Sequence, residues 1–264
     1  MAIIEVKNLT KKFGDFVAVD NINFEVNKGE FFAFLGPNGA GKSTTIKMMT
    51  TILKPTSGNI VINGHDAVKN SDRARQTLGI VFQDQSLDDE LTAWENMDFH
   101  GVLYDIPFAT RRERAQQLLE FVELWDQRDN LVKKFSGGMK RRLEIARGLM
   151  HHPKVFFLDE PTLGLDAQTR RHMWSYLKNL NKDEHTTVFL TTHYIEEAEQ
   201  IAQRVAIIDR GKIAAIGTTE ELKRKTGAAS LEEAFLKLTG SEIREELSDA
   251  SGIQRMRTFH GPKK

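Results

Sequence analysis

The chain has no cysteine. Disulfides, thiolate metal sites and cysteine nucleophiles are therefore excluded. It has no excess of either charge, since 37 Lys and Arg stand against 37 Asp and Glu. No bulk positive field invites a polyanion, and no nucleic-acid partner is expected. Long hydrophobic runs are missing as well. The apolar runs are short, as at residues 155–158 and 205–208, whereas a spanning helix needs ~20 apolar residues. Residues 1–6 lack the basic start and apolar stretch of a signal peptide. The reading is a chain that does not itself cross a membrane. What is present is 264 residues, 40% apolar and 28% charged. That composition suits one large globular domain, or a domain with a subdomain.

Ile4, Val6 and Leu9, then Val17, Val19, Ile22, Phe24 and Val26, alternate with polar residues. This predicts antiparallel strands with one wet face. Residues 31–35 form a continuous apolar run, the mark of a strand buried on both faces. Ser57-Gly58 opens another strand at 59–62, closed by the turn Asn63-Gly64. Residues from about 86 to 150 include helix-period stretches such as 112–124 and read as a helical insertion. Strands resume at 155–158, 187–190, 205–208 and 213–216, with a helix over 167–181 between. Alternating strands and helices predict an α/β domain with a mainly parallel sheet, carrying an N-terminal antiparallel β-subdomain and an inserted helical subdomain. The domain spans 1–220. Residues 221–264 read as a helical C-terminal extension, a docking or regulatory addition with a disordered tail. Its helix is expected to start at Ser230 with a capping box to Glu233.

Gly36-Pro37-Asn38-Gly39-Ala40-Gly41-Lys42-Ser43, followed by Thr44, matches G-x-x-x-x-G-K-[ST]. Inward-facing backbone N–H groups around a phosphate chain require glycines with unusual backbone angles. The helix that follows directs its positive end at the same charge. Lys42 is expected to bridge the β- and γ-phosphates and Ser43 to hold Mg²⁺. ATP and Mg²⁺ are the ligands this loop predicts, and the fold is that of a P-loop NTPase core. Residues 155–158 lead into Asp159-Glu160, two acids at a strand's carboxyl end, where open α/β sheets bind ligands. Asp159 suits a Mg²⁺ contact, and Glu160 suits a general base that polarises water.

Ser136-Gly137-Gly138 opens a helix at Met139-Lys140-Arg141-Arg142. By itself this is an N-cap with a flexible turn, and it is also a good anion site. With the phosphate loop, Gln83 after Ile80-Val81-Phe82, Asp159-Glu160, Leu165-Asp166 and His193, these motifs stand in the order and spacing of ABC (ATP-binding cassette) transporter ATPases. The resemblance covers roughly residues 3–220. It implies two copies sandwiching two ATP molecules head to tail in an ATP-bound homodimer. Ser136, Gly137 and Gly138 would then reach the γ-phosphate held by the other copy. Gln83 would touch Mg²⁺ or the attacking water. Asp166 would line the seam, His193 would hold the γ-phosphate, and Phe13 would stack on adenine. Phe135 before the signature and Met139-Lys140 after it depart from the usual pattern and point to a subgroup.

Phe135 to Leu143, Thr191 to Ala198 and Ser230 to Gly240 resemble drug-exporter ATPases of the daunorubicin-resistance type. These serve a separate polytopic membrane subunit from the cytoplasmic face. The alternative is a soluble ABC ATPase acting in macromolecular assembly with no membrane partner. The segment around Leu87, Leu91 and Trp94 reads equally as core and as a groove for a membrane-subunit helix. His151-His152, Lys133-Lys134 and Lys140-Arg141-Arg142 read as solvated surface.

Overall fold

The computed structural model describes residues 1–240. Strands β1 (Ala2–Phe13) and β2 (Phe16–Asn27) form the antiparallel pair that the alternation predicts. Ile4, Val6, Ile22, Phe24 and Val26 point into the core, and the polar residues between them face water. After β3 (Phe31–Leu35) and α1 (Lys42–Met49) come β4 (Ser57–Ile62) and β5 (His65–Asp66). Asn63 and Gly64 join β4 to β5 with φ of 48° and 79°. Positive φ at both central residues is what a two-residue Asn-Gly hairpin needs. The four strands make one sheet in the order β2-β1-β4-β5.

The rest of the chain runs α2 (Ser71–Gln76), β6 (Leu78–Val81), α3 (Ala93–Leu103), α4 (Phe108–Phe121), α5 (Gly137–Gly148) and β7 (Val155–Asp159). It continues α6 (Ala167–Glu184), β8 (Thr187–Thr192), α7 (Ile195–Ile201), β9 (Arg204–Asp209), β10 (Lys212–Gly217), α8 (Thr219–Thr226) and α9 (Leu231–Thr239). The second sheet has the order β10-β9-β3-β8-β7-β6. All its pairings are parallel except β9 with the edge strand β10. The carboxyl ends of β3, β8 and β7 therefore lie side by side, and the phosphate loop, His193 and Asp159-Glu160 leave from neighbouring strands. Helix α4 starts at Phe108, earlier than the sequence periodicity suggests, with Pro107 at the N-cap position and no side-chain cap.

Successive side chains of the parallel strands fill two cores on opposite faces. Phe31, Ala33, Leu35, Phe156, Leu158, Val188 and Leu190 join the helices. Phe32, Phe34, Phe157 and Phe189 join the antiparallel sheet and α1. On that side the Phe189 ring lies 5.6 Å from those of Phe32 and Phe34, and 5.5 Å from that of Phe157. Phe189→Ala is expected to cost about 3–5 kcal/mol of stability in urea unfolding. A loss under about 1 kcal/mol would mean that the surrounding rings collapse into the gap.

Ser230 caps the last helix as expected, accepting the N–H of Glu233 at 3.1 Å. The reciprocal bond is redirected: the Glu233 carboxylate accepts from the Ala229 N–H and pairs with Lys237. Complete capping boxes occur instead at Thr92 with Glu95 and at Thr218 with Glu221. Leu222, Leu231 and Phe235 of α8 and α9 are buried in the helix-side core. The expected disordered tail lies outside the described residues. No helix among the described residues is long and apolar enough to cross a membrane.

Candidate active site

The phosphate loop links β3, buried at every position, to α1. Gly36 is obligatory because a Cβ there would collide with the carbonyl of Ile208. Gly41 caps α1 at φ 104°, and a Cβ would meet the Ala18 carbonyl at 2.6 Å. The neighbouring hairpin turn braces the loop, since Gly211 donates its N–H to the Ala40 carbonyl at 2.9 Å. A cavity of about 740 Å³ opens over this loop. Asn38, Gly39, Gly41, Lys42, Ser43 and Thr44 line one side, and Gln83, Glu160 and His193 line the other.

Lys42 is buried, and its ammonium donates to the carbonyls of Gly36 at 2.8 Å and Pro37 at 3.1 Å. It also pairs with Glu160 Oε1 at 3.0 Å. The other Glu160 oxygen meets His193 Nδ1 at 2.8 Å. Burial pushes the Glu160 carboxyl up, but the His193 hydrogen bond and the Lys42 charge outweigh it and hold the group below its usual range. Asp159 moves the opposite way. Burial raises it, and hydrogen bonds from Thr191 at 2.6 Å and Ser43 at 3.1 Å only partly offset this. Ser43 Oγ and Asp159 Oδ1 are hard oxygen donors brought together beside the loop, a set that fits Mg²⁺.

Glu160 sits at φ 47°, a conformation disfavoured for a non-glycine residue. Its N–H is held by the carbonyl and hydroxyl of Thr191 at 3.2 and 3.1 Å. On the other side stands Arg141, and here the structure corrects the sequence reading. Arg141 is no solvated side chain but is 8% exposed. Its guanidinium donates to the carbonyls of Phe82, Asp159, Glu160 and Pro161 and to the Glu144 carboxylate. The readable signal is positional. Arg141, Glu144, Ile145 and Gly148 repeat at i, i+3, i+4 and i+7, the core-facing stripe of α5. His151 is half-buried, its ring stacked on Tyr104 at 3.8 Å and its Nε2 meeting the Leu78 carbonyl at 2.9 Å, while His152 is exposed as expected. Glu197, part of the Thr191 to Ala198 segment but with no role read from it, is buried between the hydroxyls of Thr162 and Thr192, which donate to it at 2.6 and 2.9 Å.

The remaining expected site residues stand apart from the lining of this cavity. Ser136 caps α5 and accepts the Met139 N–H at 3.2 Å. Gly137 faces open space, and Gly138 packs near Thr169 of α6. Asp166 caps α6, accepting from the N–H groups of Gln168 and Thr169 and from the Thr169 hydroxyl. Phe13 is half exposed with Lys11 over its ring, while its cross-strand partner Phe16 lines the cavity.

A glycine-rich loop between a buried strand and a helix, with acids ending a neighbouring parallel strand, defines a P-loop nucleotide hydrolase. Comparison with known proteins narrows this. The family model for the ABC transporter matches residues 19–163, more than half of the chain. The chain is 43% identical over 257 residues to the daunorubicin/doxorubicin resistance ATP-binding protein DrrA of Streptomyces peucetius, covering 97% of this chain and 77% of that protein. It is 40% identical over 243 residues to the linearmycin resistance ATP-binding protein LnrL of Bacillus subtilis strain 168, covering 92% and 76%. A solved ATP-binding subunit of an ABC transporter superposes with TM-score 0.82 at 30% identity, covering 89% of this chain and 99% of that one. The dimeric bacterial ABC transporter cassette MJ0796 does so with TM-score 0.74 at 31% identity, covering 81% and 98%. The chain belongs to the ABC transporter family, as an ATP-binding subunit that couples ATP hydrolysis to transport.

Proposed function

We propose that this chain powers export of drug-like small molecules through a separate polytopic membrane subunit, acting from the cytoplasmic face. The observation that carries this reading is the extent of the match to the Streptomyces resistance protein. Covering 97% of the chain, it must run through α8 and α9 and is not confined to the nucleotide-binding core. In this reading residues 1–220 are the ATPase domain, and the segment after it belongs to the exporter subgroup.

The cavity suggests how the residues divide the work. Lys42 bridges the β- and γ-phosphates, and the N–H groups of the loop surround them. Ser43, Asp159 and Gln83 would hold Mg²⁺, whose chemistry is to neutralise charge on the phosphate oxygens. Glu160 takes a proton from the attacking water, and His193 steadies the γ-phosphate. Phe13 stacks on adenine, with Phe16 beside it. Ser136, Gly137 and Gly138 lie outside the phosphate-loop cavity of their own chain, which supports their use on the ATP of a second copy, with Asp166 at the seam. The dimeric state of the related MJ0796 cassette supports the same arrangement.

Leu87 and Trp94 pack against the core, whereas Phe99, Val102 and Leu103 of α3 and Phe108 of α4 are exposed. This apolar face is the proposed seat of the membrane subunit. Gentle solubilisation and capture of the tagged chain is expected to bring a polytopic membrane protein with it. The double variant Phe99→Glu, Leu103→Glu is expected to weaken that capture about 10³-fold, since two buried anchors at roughly 2 kcal/mol each amount to about 4 kcal/mol. ATP binding by the chain alone should not change. Recovery of only soluble partners would overturn the exporter reading and leave the ATPase standing.

A further inference from the structure

Arg141 has five N–H donors, and each finds an acceptor. Nε donates to the Pro161 carbonyl at 2.8 Å. Nη1 donates to the Phe82 carbonyl and to Glu144 Oε2, the latter at 3.0 Å. Nη2 donates to the carbonyls of Asp159 at 3.2 Å and Glu160 at 3.3 Å. Four of the five acceptors are backbone atoms in two separate segments. One belongs to the residue just before Gln83. The other three are the consecutive carbonyls of the turn that holds Glu160 in its left-handed conformation. Glu144, the fifth, also accepts the N–H and hydroxyl of Ser86 at 2.8 and 3.2 Å, tying the segment after Gln83 to α5 again.

Arg141 stands one turn into α5, whose first residues are Gly137 and Gly138. Behind Glu160, a cavity of about 250 Å³ is lined by Gln83, Gly137, Arg141, Glu144 and Glu160. A Cβ at Gly137, the first residue of this helix, would meet nothing, whereas the fifth residue, Arg141, grips the turn under its own chain's Glu160. A planar guanidinium spanning four carbonyls fixes their relative positions far more tightly than a point charge does.

We propose that Arg141 is a positioning residue that ties the seating of α5 on a second copy's ATP to the placement of Glu160 and Gln83 in its own site. Filling one composite site thereby prepares the other. The inference rests on the ATPase reading above and adds a route between its two sites. A shift of α5 moves the guanidinium, and the guanidinium moves the carbonyls of the Glu160 turn. A catalytic group misplaced by about 1 Å loses on the order of 10²-fold in rate.

The test uses the full chain with two changes, Arg141→Lys and the pair Arg141→Met, Glu144→Leu. Lys keeps the charge but cannot span the carbonyls. The paired change removes both buried charges together, so that neither is left without its counter-charge. Fluorescent-nucleotide binding, kcat, KM and the Hill coefficient of ATP hydrolysis are measured beside thermal unfolding. Expected are unchanged nucleotide affinity and KM, a kcat lower by about 10²-fold for the pair and less for Lys, and a Hill coefficient falling towards that of independent sites. Parent-like kcat and cooperativity in either folded variant would overturn the proposal. So would losses of affinity and kcat in proportion, which mark a structural role alone. A parent chain that does not hydrolyse ATP would instead count against the ATPase reading itself.

Discussion

With Glu160 replaced by Gln, steady-state ATP hydrolysis falls about 10²–10⁴-fold, the usual contribution of a general base, while ATP still binds. The amide cannot take a proton from water, but it can keep the hydrogen-bonding place of the carboxylate. The geometry adds a second effect. Glu160 pairs with Lys42 at 3.0 Å, both side chains being buried. Gln removes that ion pair and leaves the Lys42 charge to the incoming phosphates. ATP affinity is therefore expected to rise, and the ATP-bound dimer to persist long enough to isolate by size-exclusion chromatography. Hydrolysis at the parent rate would remove Glu160 from the chemistry.

The second large effect is expected at Ser136, away from the loop in its own chain. Ser136→Arg should reduce turnover by about 10²–10³-fold or more, the cost of losing one oxyanion-type donor, with added bulk where Gly137 now faces open space. ATP binding to the monomer should be unchanged, because Ser136 does not line its own cavity. Mixing makes the test sharper. The Ser136→Arg chain supplies an intact loop and Glu160, and the Glu160→Gln chain supplies an intact Ser136. A mixed dimer of the two holds one complete site. Hydrolysis should reappear on mixing two inactive variants, and continued silence would sink the head-to-tail arrangement.

What is legible in the sequence follows from how local each signal is. The phosphate loop needs glycines at fixed positions, so Gly36 and Gly41 carry their constraint in their identity. The buried strands at 31–35 and 155–159 are legible because parallel strands covered on both faces show unbroken apolar runs. Strand β6 and helix α2 are not, being only four and six residues long, too short for periodicity to separate from a loop. Arg141 is hidden for a different reason. A charged triplet has the composition of a solvated helix face, and only the acceptors from two distant segments make burial of its middle member possible. Of the Ser230 box, one half forms: Glu233 takes the Ala229 N–H and the Lys237 ammonium instead, a choice decided by loop geometry and not by spacing.

The alternation of β3, β7, β8 and β9 between two packed cores has a mechanical consequence. A one-residue slip of any of these strands would exchange its two faces and empty both cores at once. Close-packed interiors also yield little under load. The six-stranded sheet therefore behaves as a stiff block, and the carboxyl ends of β3, β7 and β8 keep fixed heights relative to one another. Movement on nucleotide binding is therefore expected in the helices and turns around that block, chiefly α3 to α5. Amide hydrogen exchange should report the same partition, slowest at Phe32, Phe34, Phe157 and Phe189 and little altered there by ATP, with the nucleotide-dependent changes gathered in the helical insertion.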